Sequence, residues 1–138
     1  MNNARIASQV DPIPDDLLEE FRSQGLVIYV APARTSFILG DEMSVSALIG
    51  SQGGAPGTRR VQFMPIAPDI AVGYCATRGV YIDHLEGRDV RRMNEAIARQ
   101  SYLIAGRSHA QIRSLSRMPY DPPDIMDGWF SGGDAAAH

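Results

Sequence analysis

The chain has 138 residues, a net charge of -3, and 44% hydrophobic against 21% charged residues, proportions that suit one globular domain with a single core and exclude a disordered chain. No apolar run approaches the roughly 18–20 residues of a membrane span, residues 1–6 lack the apolar stretch of a secretory signal, and a single cysteine, Cys75, excludes an internal disulfide. These features point to a cytoplasmic protein with no membrane partner.

Residues 1–10 read as a flexible arm. Pro12 and Pro14 then lead into an acidic segment with Leu17, Leu18 and Phe21 at helical spacing and Gly25 at the expected stop. Acids in the first turn favour the macrodipole, so a short helix is expected here. Residues 26–31 and 36–39 follow as two β-branched or aromatic runs joined by a Pro-containing turn, and they read as a hairpin. Val27, Ile28, Tyr29 and Val30 have no polar interruption, a pattern of strands covered on both faces. Gly40 and Asp41 break the second run, which residues 44–49 resume.

The glycine-rich stretch 50–57 leads into a further strand at 60–64 and not into a helix, so it reads as a hairpin tip and not a phosphate cradle. Pro65 and Pro68 place a bend at a sheet edge or corner, because neither donates to a ladder. In the next strand, 70–76, Ile70, Val72 and Tyr74 share one face, and Gly79 allows a reversal into 80–82. Residues 89–100 form the longest helix, with Val90, Met93 and Ile97 on one side and Arg91, Arg92, Glu95 and Arg99 on the other. Glu95 and Arg99 stand at i,i+4 in the favourable order. A short strand at 102–105 and a helix from Ser108, whose pairing with Gln111 matches a capping box, complete the domain at about residue 117. Residues 118–138 read as a Pro/Asp/Gly-rich tail.

Phe37-Ile38 with Asp41, then Pro65-Ile66-Ala67-Pro68, then Met93-Asn94 and Tyr102-Leu103-Ile104-Ala105 follow one another in an order and spacing that resembles the C-terminal half of the bacterial domain-of-unknown-function 4238 family. That family carries an aromatic strand ending in a Ser-Asp-Asn-Pro-like corner, a Pro-Leu-Ser-Pro-like turn, and a helix with an early Leu-Asn pair. Glu42 and Met43 depart from its Asn-Pro, and Ala67 replaces the serine of its turn. The resemblance spans 26–115 and implies the fold, with no settled chemistry attached.

Two residues are candidates for catalysis. Asp41 follows an apolar strand and could act as a base or close a turn. Asn94, near the border of the helix's apolar face, could orient a ligand or satisfy backbone groups, and a contact between the two is expected on either reading. Arg59, Arg60, Arg91 and Arg92 are the anion-binding candidates. All 13 basic residues are arginine, and seven of them fall within 88–117, between acidic flanks at 11–20 and 121–134. Such a row can contact phosphates or pair within the fold. Trp129 and Phe130 in the acidic tail are candidate anchors for a partner. His84, His109 and His138 lack metal-ligand spacing, and with Cys75 alone no metal and no cofactor is expected. Serine-hydrolase spacing is also lacking.

The expected architecture is a single α+β domain over residues 11–117: a mainly antiparallel sheet, one long helix across a face and short helices at either end. The favoured function is a small binding or regulatory module acting through protein–protein contacts, with a protein partner or a second copy of the chain. An enzyme acting on nucleic acid or nucleotides with Asp41 and Asn94 is the alternative, and simple nucleic-acid binding trails both.

Overall fold

The computed structural model describes residues 14–52 and 55–122, so the expected arm and most of the expected tail, with Trp129 and Phe130, lie outside the described residues. α1 (Asp15–Ser23) has Asp15 and Asp16 in its first turn and Arg22 in its last, which suits the macrodipole at both ends. One extended residue, Gln24, separates it from β1 (Gly25–Val30). Gly25 is sterically required, because a Cβ there would stand 1.9 Å from the Thr77 carbonyl oxygen, where the chain crosses over the start of β1.

The main sheet has the order β3 (Val45–Gly50), β4 (Thr58–Ala67), β5 (Ile70–Cys75), β1, β6 (Val80–His84). Three of these pairings are antiparallel and β1–β6 is parallel. Gly79, at φ +135, permits the reversal after β5, but the chain steps past β1 instead of pairing β6 with β5. The expected hairpin of 26–31 with 36–39 does not form. After Val30 the chain leaves the sheet, because the Ala31 and Phe37 N–H groups donate to the Asp69 and Pro68 carbonyls of the β4–β5 turn. Phe37 and Ile38 are both buried although adjacent, and neither is in a strand. Of that second run only β2 (Leu39–Gly40) is a strand, and it pairs with β7 (Ile104–Ala105) in a separate ribbon.

Pro65 sits inside β4, next to a bulge. β3 has already ended at Val45, opposite Phe63, so the N–H that proline lacks falls on a locally unpaired margin.

α2 (Gly87–Gln100) lies along β3 and buries Val90, Met93, Ile97 and Ala98 against Val45, Ile49, Val61 and Phe63. A fully buried aliphatic such as Ile97 contributes about 1.5–3 kcal/mol. The helix also closes the β3 edge. Gln100 Nε2 donates to the Ser46 carbonyl and its Oε1 accepts from the Ser46 N–H, and Asp89 Oδ1 accepts from the Gly50 N–H at 2.9 Å. Helix side chains thus take the ladder positions of a missing strand. β6 has no such cover among the described residues. The Leu26 N–H donates to Gly79 O and the Leu85 N–H to Val30 O; in parallel register this turns the Val80, Ile82 and His84 N–H groups outward.

α3 (His109–Leu115) starts as expected, with Ser108 accepting from the Gln111 N–H. The expected Glu95–Arg99 ion pair is not made; among the described residues the pairs are Arg22–Glu19, Arg59–Asp83 and Arg88–Glu86. The described residues form one α+β domain, and none of their helices is long and apolar enough to cross a membrane.

Candidate functional site

Asp41 and Asn94 are not brought together. Asp41, exposed, accepts from the Tyr102 and Leu103 N–H groups at 2.9 and 3.3 Å, and so ties the corner after β2 to the segment before β7. Beside it Tyr102 and Tyr120 stack with centroids 4.2 Å apart. The adjacent Tyr102 hydroxyl, helped by desolvation and the nearby Asp41 and Glu42 charges, pushes the Tyr120 hydroxyl up to about 12. Asn94 is 2% exposed; its Oδ1 accepts from the Ile38 N–H at 2.9 Å and its Nδ2 donates to the Ser36 carbonyl at 2.8 Å. Both side chains act as staples on irregular backbone.

The candidate arginines are dispersed by the pleat. Arg59 and Arg60 project to opposite faces of β4. Arg59 reaches across the helix-covered face to the buried Asp83 of β6 and donates to the Gly50 carbonyl. Burial pushes the neighbouring Tyr29 hydroxyl above its ordinary value of 10.0, the Arg59 guanidinium opposes this, and Asp83 and Cys75 add to it. Arg60 lies on the other face opposite Leu48. Arg91 and Arg92 are exposed on α2. Among the described residues no group of three His, Cys, Asp or Glu side chains could hold a metal ion.

Between the start of α2, α3 and residues 34–36 lies an open groove of about 610 Å³. Arg34, Arg91 and Glu95 line it together with Ser36, Ser108 and Gln111. Arg34 was not a candidate from sequence, yet it has φ 67 and is the only non-glycine residue at positive φ among the described residues.

The second surface of note is the sheet face opposite α2. The register puts Leu26 and Ile28 of β1, Val72 and Tyr74 of β5, and Val80 and Ile82 of β6 on it, with Met64 of β4 beside Val72; Leu48 of β3 lies further off, opposite Arg60 and separated from Met64 by Gln62 and Ser46. Tyr74 is 70% exposed, Val80 67%, Ile82 62% and Leu48 54%. No carboxylate occupies a strand position on this face, and Arg60 and His84 stand at its margins. Nothing among the described elements covers it. α1 is equally bare: none of its residues is buried, and Leu17 and Phe21 are 40% and 54% exposed.

One buried polar atom is an orphan. The Ser101 hydroxyl, at the end of α2, has no partner among the described residues, and it fills the space over Gly40, where a Cβ would meet it at 2.0 Å. An unsatisfied buried hydroxyl opposes folding, so Ser101→Ala should leave stability unchanged or raise it by up to about 1 kcal/mol. Urea denaturation checks this, and a loss larger than that would show that the hydroxyl is paired.

No protein-family model matches the chain, and no curated protein or solved structure matches it.

Proposed function

We propose that the chain is a cytoplasmic protein-interaction module that pairs with a second copy of itself, the apolar stripe of α1 from each copy lying on the uncovered sheet face of the other. The observation that carries this reading is that one chain presents two apolar surfaces, a sheet face and a helix stripe, neither of which has a partner among the described residues. Contiguous exposed apolar area of this kind marks an interaction site.

The single-residue link at Gln24 is too short to turn α1 back over the strand it precedes, so its stripe is offered outward. A nine-residue helix is also marginal in water without tertiary packing. Charge favours the same occupant: α1 carries Asp15, Asp16, Glu19 and Glu20 against one arginine, whereas the receiving face has Arg60 and His84 at its margins and no acid at a described strand position. Cover on that face would also give β1 the two-sided burial its unbroken apolar sequence calls for.

The resemblance to the domain-of-unknown-function 4238 family belongs to the same proposal. What supports it is the order and spacing of its motifs along 26–115.

Light scattering on the eluting protein tests the pairing. A dimer has twice the chain's 15.0 kDa, and a monomer mass at every concentration would end the reading.

A further inference from the structure

From the groove beside the start of α2 we infer a second function, independent of the pairing: it binds an organic phosphate, held by Arg34 and Arg91. The two guanidiniums come from different elements, the turn after β1 and the exposed side of α2, and both line the same groove. Neither has a carboxylate within ion-pair distance among the described residues. A planar carboxylate is satisfied by one bidentate arginine, whereas a phosphate ester offers three terminal oxygens and more charge, which suits two guanidiniums approaching from separate sides.

The backbone at Arg34 strengthens the case. Its φ of 67 is a left-handed conformation that glycine adopts without penalty and arginine does not. Its side chain is exposed, so burial does not explain the residue; the Thr35 N–H and hydroxyl, both donating to the Pro32 carbonyl, hold the turn, and strained residues held in this way cluster at binding sites.

Hydroxyls complete the anion seat. Ser108 Oγ accepts from the Gln111 N–H, which leaves its own proton to donate. Ser36 lines the groove as well. Glu95, one turn along α2 from Arg91, repels a bare anion and accepts from donors on the remainder of the ligand. The volume, about 610 Å³, lies within the roughly 300–1,000 Å³ of small-molecule sites. An ester with hydroxyl or amino donors therefore fits better than inorganic phosphate, and a nucleoside monophosphate is a probe of suitable size.

Calorimetric titration of the whole chain with adenosine monophosphate, adenosine and inorganic phosphate tests this, together with the variants Arg34→Gly and Arg91→Gln. Arg34→Gly relaxes the turn, so its melting temperature should match or exceed that of the parent. The monophosphate should bind more tightly than either other probe, and each variant should weaken it by about tenfold or more. Absence of binding at millimolar monophosphate, equal binding of adenosine, or unchanged affinity in both folded variants would each overturn the inference.

Discussion

Asn94→Asp should cost about 2–4 kcal/mol of folding stability at neutral pH, at least as much as Asn94→Ala. The amide sits 2% exposed and spends one end on each polarity of backbone: Oδ1 on the Ile38 N–H, Nδ2 on the Ser36 carbonyl. Alanine leaves both groups buried without that partner. Aspartate keeps the acceptor but turns its second oxygen on another oxygen, and it also buries a charge. Protonation would restore a donor toward Ser36, so the folded-state pKa of the introduced acid must lie above its unfolded value. The sign follows: the destabilisation is full above the folded pKa and shrinks as pH falls through it. Urea titrations of both variants across acid and neutral pH measure this. An aspartate variant as stable as the parent at neutral pH would mean that the two hydrogen bonds do not hold the 36–38 segment.

The second large effect concerns assembly. Ile82 is 62% and Phe21 54% exposed in the single chain, so Ile82→Glu and Phe21→Ser should each change the monomer's own stability by only about 0.5 kcal/mol. In the proposed dimer both positions lie at the contact, and a carboxylate at 82 would be buried beside the four acids of the partner's α1. We expect Ile82→Glu to weaken association by about a hundredfold or more and Phe21→Ser by less, both read as a fall in mass towards 15.0 kDa. Arg60→Glu, which opposes the acids of α1, should shift the same equilibrium in the same direction and more strongly at low salt. Undiminished dimer mass for both apolar-site variants would place the contact elsewhere.

What could be read from the chain depended on how local the cause was. The buried stripe Val90, Met93 and Ile97 shows in a spacing that only a helix satisfies, and the Ser108 cap needs just three further residues to be recognised. The common face of Ile70, Val72 and Tyr74 follows from pleat alone, but whether that face is covered does not. The hairpin failed because the partners of β1 come from far along the chain, Val30 facing Ile70 on one side and His84 on the other. Competition for the Ala31 and Phe37 donors then settled the path between them. Asp41 and Asn94 were recognisable as side chains that must satisfy something. Which orphaned backbone groups they satisfy depends on tertiary packing, as does the closing of the β3 edge by Gln100 and Asp89. Arg34 carried no mark at all, since a left-handed backbone is legible in sequence only where glycine or asparagine stands.

Hydrogen exchange in α1, followed as a function of protein concentration, is the most direct measurement of the pairing. A nine-residue helix with no buried side chain should exchange almost as fast as open chain in the monomer. We expect the amides at 18–23 to be protected at concentrations where the mass is that of a dimer and to lose protection in step with dissociation. Fast exchange in α1 while the protein is dimeric, with protection gained instead at the alternate β6 amides of Val80, Ile82 and His84, would contradict helix-on-sheet exchange and assign the contact to the open strand edge.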